Sequence, residues 1–346
     1  MQTRLRHVDV PVGDAIRQHG VAAAIGMKHV ASVLYTYRCT LACKHCCFYS
    51  GPHRPAIHVG LEDGLEYLRQ LHATDRVIHI AGGEALMYYD DVLALCRAAG
   101  AEGVCPHFIE TNTTWCISDD TARSRLSELR DAGVLGLLLS ADPYHQAACP
   151  PDRYLRCLEA ACEVFGDRNV AGARLTMAEL EDLVVVSRDQ VRLREYATGN
   201  PPCLTARAGD ELAPWFPDRP VDELASDWMW HGPSEGMTCR EQFEPEEMWE
   251  IHIDPHGNIQ TCCGVIIGSV KRMPLGEYMR TGFAAHSALV AAVHRDGPLG
   301  LLPYAVERGY EPKERYPQKC GMCWEIRRFL RPFFPEAFGP AEVYEP

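Results

Sequence analysis

The stretch Val30-Ala-Ser-Val-Leu-Tyr-Thr-Tyr37-Arg-Cys39-Thr-Leu-Ala-Cys43-Lys-His45-Cys46 decides the fold. Residues 30–37 are β-branched and aromatic, which predicts a buried strand running straight into a long cysteine-bearing loop. Working outward, Leu61, Leu65, Leu68 and Leu71 recur at helical spacing, and Arg76 to Ala81 reads as a second strand ending at Gly82-Gly83. Val92, Leu95, Cys96 and Ala99 form the next helical stripe. His107 to Glu110 and Val134 to Leu139 read as further strands, with a helix carrying Leu126 and Leu129 between them. Pro151 then opens a helix with Leu155, Leu158, Cys162 and Phe165 on one face, and Gly166 is its natural stop. Alternating strands and helices predict an α/β fold whose parallel sheet carries ligand-binding loops at the strand C-termini.

The bulk numbers narrow the classes. With 346 residues, 47% hydrophobic and 23% charged, the chain has material for a barrel plus an appended module and no composition of a disordered protein. A net charge of −13 leaves no electrostatic footprint for nucleic acid, which is disfavoured as a partner. The N-terminal MQTRLRHVDVPVGDAIRQ has no secretory apolar core, and no apolar run reaches about 18 residues. The expectation is a cytoplasmic protein without a membrane partner. Sixteen cysteines in a reducing compartment point to metal binding where they cluster. From about Ala206 tryptophans, prolines and acidic residues replace the strand-helix rhythm. The expected organisation is therefore an N-terminal segment over 1–29, a barrel over 30–205 and a second domain over 206–346.

A [4Fe-4S] cube normally takes four thiolates, so three leave one iron open for a ligand. Cys39, Cys43 and Cys46, in Cys-x3-Cys-x2-Cys spacing directly after a strand, resemble the signature of the radical S-adenosylmethionine (radical SAM) superfamily. The competing reading is a zinc site completed by His45 or Cys47. The resemblance implies a partial (β/α)6 TIM-type barrel and a [4Fe-4S] cluster bound with S-adenosylmethionine. It also implies that Gly82, Gly83 and Glu84 receive the methionine amino group and that Ser140 lies near the ribose or the methionine carboxylate. Asp142 would face substrate, and Asn112 is a further cofactor-contact candidate, although Thr113 stands where the family has glycine. His45 departs from the aromatic ring that commonly precedes the last cysteine, but imidazole can stack against the cofactor. His145 is suited to moving a proton near neutral pH. Turn and helix capping is the competing role for Ser140 and Asp142.

A second cysteine set follows: Cys239, the turn Asp254-Pro-His-Gly257-Asn ahead of Cys262, and Cys320-Gly-Met-Cys323. It resembles the start of the SPASM and twitch modules, which implies one auxiliary [4Fe-4S] cluster on Cys239, Cys262, Cys320 and Cys323. Cys263 can stand in for Cys262 as a ligand, and a four-cysteine zinc site is the alternative. Cys263 and Cys203 are candidates for a hydrogen-atom donor. The resemblance implies an oxidoreductase or maturase that cleaves S-adenosylmethionine to a 5′-deoxyadenosyl radical, with flavodoxin or ferredoxin as reducing partner. The leading substrate class is a peptide or protein undergoing cross-linking, epimerisation or oxidation. The alternative is oxidation or dehydration of a small polyol, sugar or antibiotic precursor, and the non-enzymatic alternative is a zinc-stabilised binding module.

Overall fold

All seven residues of strand β1 (Val30–Thr36) are buried, as a strand covered on both faces requires. The computed structural model describes residues 10–224 and 238–346. Within these, one unit takes the chain up to Cys43, Gly51–Leu193 and His252–Pro255, and a second takes Lys44–Ser50, Arg194–Ile251 and His256–Pro346. In the first unit β2 (Val77–Gly82), β3 (Phe108–Thr111), β4 (Gly136–Leu139) and β5 (Val170–Ala171) join β1 in the order β5-β4-β3-β2-β1, every pair parallel. This is the expected α/β fold with a mostly parallel sheet. Two short helices, α1 (Val12–His19) and α2 (Val21–Met27), precede it. The connections carry α3 (Leu61–His72), α4 (Tyr89–Ala101), α5 (Asp119–Asp131), α6 (Pro143–Gln146) and α7 (Pro151–Phe165). Helix α8 (Met177–Arg188) follows β5, and α9 (Gln190–Gly199) leads onward along the chain.

The parallel arrangement places the ends of β1, β2, β3 and β4 at one edge, where the cysteine loop, Gly82-Gly83-Glu84, Asn112 and Ser140 emerge. Helix α7 starts at Pro151 and stops before Gly166, whose φ of 81° continues no helix. Helix α3 differs from the simple leucine stripe. It buries Gly64, Tyr67, Leu68 and Leu71 and leaves Leu61 exposed. The missing side chain at Gly64 explains the rotation, because a Cβ there would meet Leu95 of α4 at 2.9 Å.

Two buried polar contacts tie His252–Pro255 into the first unit. Ser32 Oγ lies 2.6 Å from His252 Nδ1, and the Tyr37 hydroxyl donates to Asp254 Oδ2 at 3.2 Å. The second unit contains α10 (Ala206–Glu211), β6 (Arg219–Pro220), α11 (Val221–Leu224) and α12 (Cys239–Phe243). After β7 (Glu250–Ile253), which ends in the first unit, come β8 (Asn258–Gln260), β9 (Ile266–Ser269), α13 (Leu275–Thr281), α14 (Ala288–Asp296) and α15 (Leu302–Val306). The chain then forms β10 (Arg315–Tyr316), α16 (Lys319–Leu330) and α17 (Ala341–Tyr344). Strands β8 and β9 pair antiparallel, as do β6 and β10. Among the described residues no helix is long and apolar enough to cross a membrane.

Candidate active site

The end of β2 is pressed against the backbone that leads to Cys39. Gly83 N–H donates to the Thr36 carbonyl at 2.7 Å and Glu84 N–H to the Arg38 carbonyl at 3.0 Å. A Cβ on Gly83 would come within 2.0 Å of the Arg38 carbonyl oxygen, and one on Gly82, whose φ is 120°, within 2.5 Å of that of Thr36. Both contacts are with backbone, which cannot swing aside. Gly83→Ala should therefore cost about 1–3 kcal/mol of stability, whereas Gly60→Ala, with nothing within 4 Å, should cost far less. Equal melting temperatures for the two variants would refute this steric account.

Glu84 is 1% exposed. Its Oε2 accepts from Asn112 N–H at 2.7 Å, and its Oε1 accepts from the Thr111 hydroxyl at 3.0 Å and Leu86 N–H at 3.3 Å. Burial pushes the carboxyl up from an ordinary 4.5 to about 7, against the pull of these hydrogen bonds and of His145. The donors are dipoles, so a cation arriving at the carboxylate would be well received.

Asn112 faces two ways. Its backbone serves Glu84, while its side-chain Nδ2 donates to Cys39 Sγ at 3.4 Å and Thr40 Oγ1 at 3.0 Å. A sulfur accepting N–H bonds is a sulfur prepared to be a thiolate ligand, and Leu41 N–H supplies a second donor to Cys39 at 3.4 Å. Cys39, Leu41 and Cys149 form a small buried cluster with Cys43 packed on it. Thr113 stands where the family has glycine and takes a φ of 64°, in the left-handed region that favours glycine. Its N–H is anchored on Thr111 Oγ1 at 3.1 Å.

At the end of β4, half-buried Ser140 donates its backbone N–H to the Thr111 carbonyl at 3.1 Å. Asp142 caps α6, its Oδ1 accepting from the N–H groups of Tyr144 at 2.8 Å and His145 at 2.9 Å. Its Oδ2 lies 2.7 Å from His145 Nδ1. With a proton on Nδ1, that contact fixes the ring orientation and leaves Nε2 as the basic atom. Asp142 thus performs the capping role and also orients His145.

In the second unit, Cys46 offers its carbonyl to Ala208 N–H at 3.4 Å, and Lys44 lies 3.3 Å from Glu211. Burial and then neighbouring Cys47 push the Cys46 thiol up. His45 sits in the same segment and is half-buried.

The C-terminal cysteines also converge within this unit. Cys262 interacts with Cys239, Cys323 and Cys203, and Cys320 interacts with Cys203, Cys239 and Cys323. Burial pushes Cys239 to about 11 and raises Cys262 and Cys323, so a metal arriving here displaces protons. Five thiols thus gather, the four expected ones and Cys203. Cys263 interacts with Cys47 as well as with Cys203 and Cys262, whereas Cys262 has Cys239, Cys323 and Cys203 as its neighbours.

Residues 33–184 match the Radical SAM superfamily. This part of the chain is a Radical SAM superfamily domain. Members of that superfamily are enzymes, and S-adenosylmethionine and a [4Fe-4S] cluster follow from it. The radical SAM domain contains the Cys39 to Cys46 loop, Glu84, Asn112, Ser140 and His145. One solved structure, "Crystal structure of BtrN in complex with AdoMet and 2-DOIA", is similar over 75% of this chain and 89% of that one, at 12% identity and a TM-score of 0.34. No curated protein matches.

Beside the radical SAM domain, the sequence reading missed Cys203 as a neighbour of the C-terminal set. Gln318, at the start of α16, explains its position: Oε1 accepts from Leu204 N–H at 2.9 Å and Nε2 donates to the Pro202 carbonyl at 3.1 Å. This clasp brackets Cys203 and carries it to Cys320, and the hydrogen bond between them lowers the first thiol and raises the second. The only local signal was the glutamine two residues ahead of Cys320.

Proposed function

We propose that the chain is a radical SAM oxidoreductase or maturase of peptides or proteins, with a partial barrel over 30–205 and a twitch/SPASM-like extension over 206–346. Cys39, Cys43 and Cys46 would hold the [4Fe-4S] cluster, and Cys239, Cys262, Cys320 and Cys323 one auxiliary cluster. The observation that carries this reading is the linkage at the strand ends. One residue, Asn112, joins the buried carboxylate of Glu84 to the sulfur of Cys39.

When bound, the cluster and S-adenosylmethionine supply one-electron reductive cleavage to methionine and a 5′-deoxyadenosyl radical, with flavodoxin or ferredoxin as electron donor. The residues do the rest. Glu84 receives the methionine ammonium, and Gly82 and Gly83 let the backbone close on it. Ser140 would meet the ribose or carboxylate, and His45 would stack on the cofactor. His145, held by Asp142, moves a proton on the substrate, and Cys263 is the candidate hydrogen-atom donor. The second unit's thiols would hold the auxiliary cluster, which would supply a one-electron acceptor.

A peptide suits the cavity of about 540 Å³ beside α16, which combines Phe216 and Trp324 with Asp210, Lys313, Arg315 and Arg328. Aromatic surface and charges of both signs recognise a chain bearing apolar and ionised side chains.

Anaerobic reconstitution should give about eight irons per chain, from two cubes of four. Four would remove the auxiliary cluster, and zinc in colourless protein would favour the binding-module reading. Incubation with S-adenosylmethionine, reductant and candidate peptides should yield 5′-deoxyadenosine and a peptide whose mass change identifies the reaction. Turnover of a small polyol or sugar instead would overturn the substrate class.

A further inference from the structure

Arg327 on α16 is 1% exposed, whereas its neighbour Arg328 is surface-placed and paired with Asp210 at 2.8 Å. Arg327 Nη1 donates to the Cys263 carbonyl at 2.7 Å and to the Tyr344 hydroxyl at 3.3 Å, and Nε lies 3.4 Å from the Cys323 carbonyl. These acceptors are neutral: Tyr344 spends its own proton on the Gly264 carbonyl at 2.7 Å. Among the described residues no carboxylate pairs with this guanidinium; the ionisable groups around it include Tyr344, Cys323, Cys262 and Cys263, with Cys203 and Cys239 also interacting.

Arginine cannot escape burial by losing its proton, and an uncompensated buried cation is costly even when its N–H groups are satisfied. The anion that would balance it is a thiolate of the surrounding cysteines, formed when they give up their protons to a bound metal. We infer that Arg327 is the built-in countercharge of the Cys262 and Cys323 thiolates, a positioning residue that fixes the electron affinity of the group they hold. The inference rests on the auxiliary-cluster reading. A cube bound by four thiolates becomes more negative on reduction, and a fixed positive charge in a buried site favours that reduced state. Without the charge the thiolates repel one another and hold metal less well.

The test uses the full chain, reconstituted with iron and sulfide, in a Cys39, Cys43 and Cys46 to Ala background so that the auxiliary signal stands alone in an EPR-monitored redox titration. Arg327→Gln should shift the reduction equilibrium at least about tenfold toward the oxidised form, which is 59 mV for one electron. Tyr344→Phe, which loses a hydrogen bond but keeps the charge, should shift it less than about threefold. Arg327→Lys should restore iron retention where Gln lowers it, since a latch that needs the forked guanidinium is not rescued by an ammonium. An unmoved potential in the Gln variant, or loss of iron in Lys equal to that in Gln, would overturn the role. Four irons in the parent instead of about eight would remove the auxiliary cluster, and the two failures are thus distinct.

Discussion

Changing Cys39, Cys43 and Cys46 together to alanine should abolish 5′-deoxyadenosine formation and remove about four of about eight irons. The three cysteines sit in one short loop, and the first is already prepared for ligation. Cys39 Sγ lies 3.4 Å from both the Asn112 amide nitrogen and Leu41 N–H, donors that offset negative charge on a metal-bound sulfur. The two nearby thiols, Cys149 and Cys47, already have partners of their own. Cys149 accepts from Thr113 or donates to it at 3.5 Å and donates to the Asn112 carbonyl at 3.3 Å, and Cys47 is engaged with Cys263. Nucleoside chromatography and iron analysis on folded protein check the result. Full activity in the triple variant would rule out this loop as the electron source, and retained iron with lost activity would show that a different cysteine set fills first.

The second large effect belongs to Glu84. Glu84→Gln should weaken S-adenosylmethionine binding by about thirtyfold or more, as expected when one partner of a buried, hydrogen-bonded charge pair is neutralised. It should also change how the unliganded protein responds to pH. Burial raises the carboxyl from 4.5 to about 7, so between those values the folded state holds a proton that the unfolded state has lost. Stability therefore falls as pH rises through that window, by about 3 kcal/mol in total. Glutamine has no proton to lose, and its melting temperature should lack this component. Added S-adenosylmethionine should flatten the slope of the parent, because its ammonium compensates the carboxylate. Identical pH profiles for parent and variant would show that the carboxyl ionises as it does in water.

The strands, the Gly82-Gly83 turn and the cysteine spacings were legible because each is written in a few consecutive residues. Thr113 looked like a departure from the family, yet its φ of 64° lies in the left-handed region that favours glycine. Backbone conformation at a non-glycine residue is not spelled by the residue itself. The two-residue strand β5 (Val170–Ala171) is too short to show periodicity. Cys203 acquires its place through Gln318, more than a hundred positions away, and no local pattern announces such a clasp. Arg327 reads as half of an ordinary Arg-Arg pair at the end of a helix. Only the depth of its side chain separates it from Arg328.

The contacts of Ser32 with His252 and of Tyr37 with Asp254 bear on the order in which the polypeptide can mature. They join positions 220 and 217 residues apart, so during synthesis β1 is completed long before its polar partners leave the ribosome. In a nascent chain ending near residue 205 Ser32 and Tyr37 lack these two partners, and making both contacts means closing a span of high sequence separation. Fragments cut at the apparent border between the units should for this reason be aggregation-prone, and the iron-loaded first unit should be obtained only from a chain that extends past Pro255.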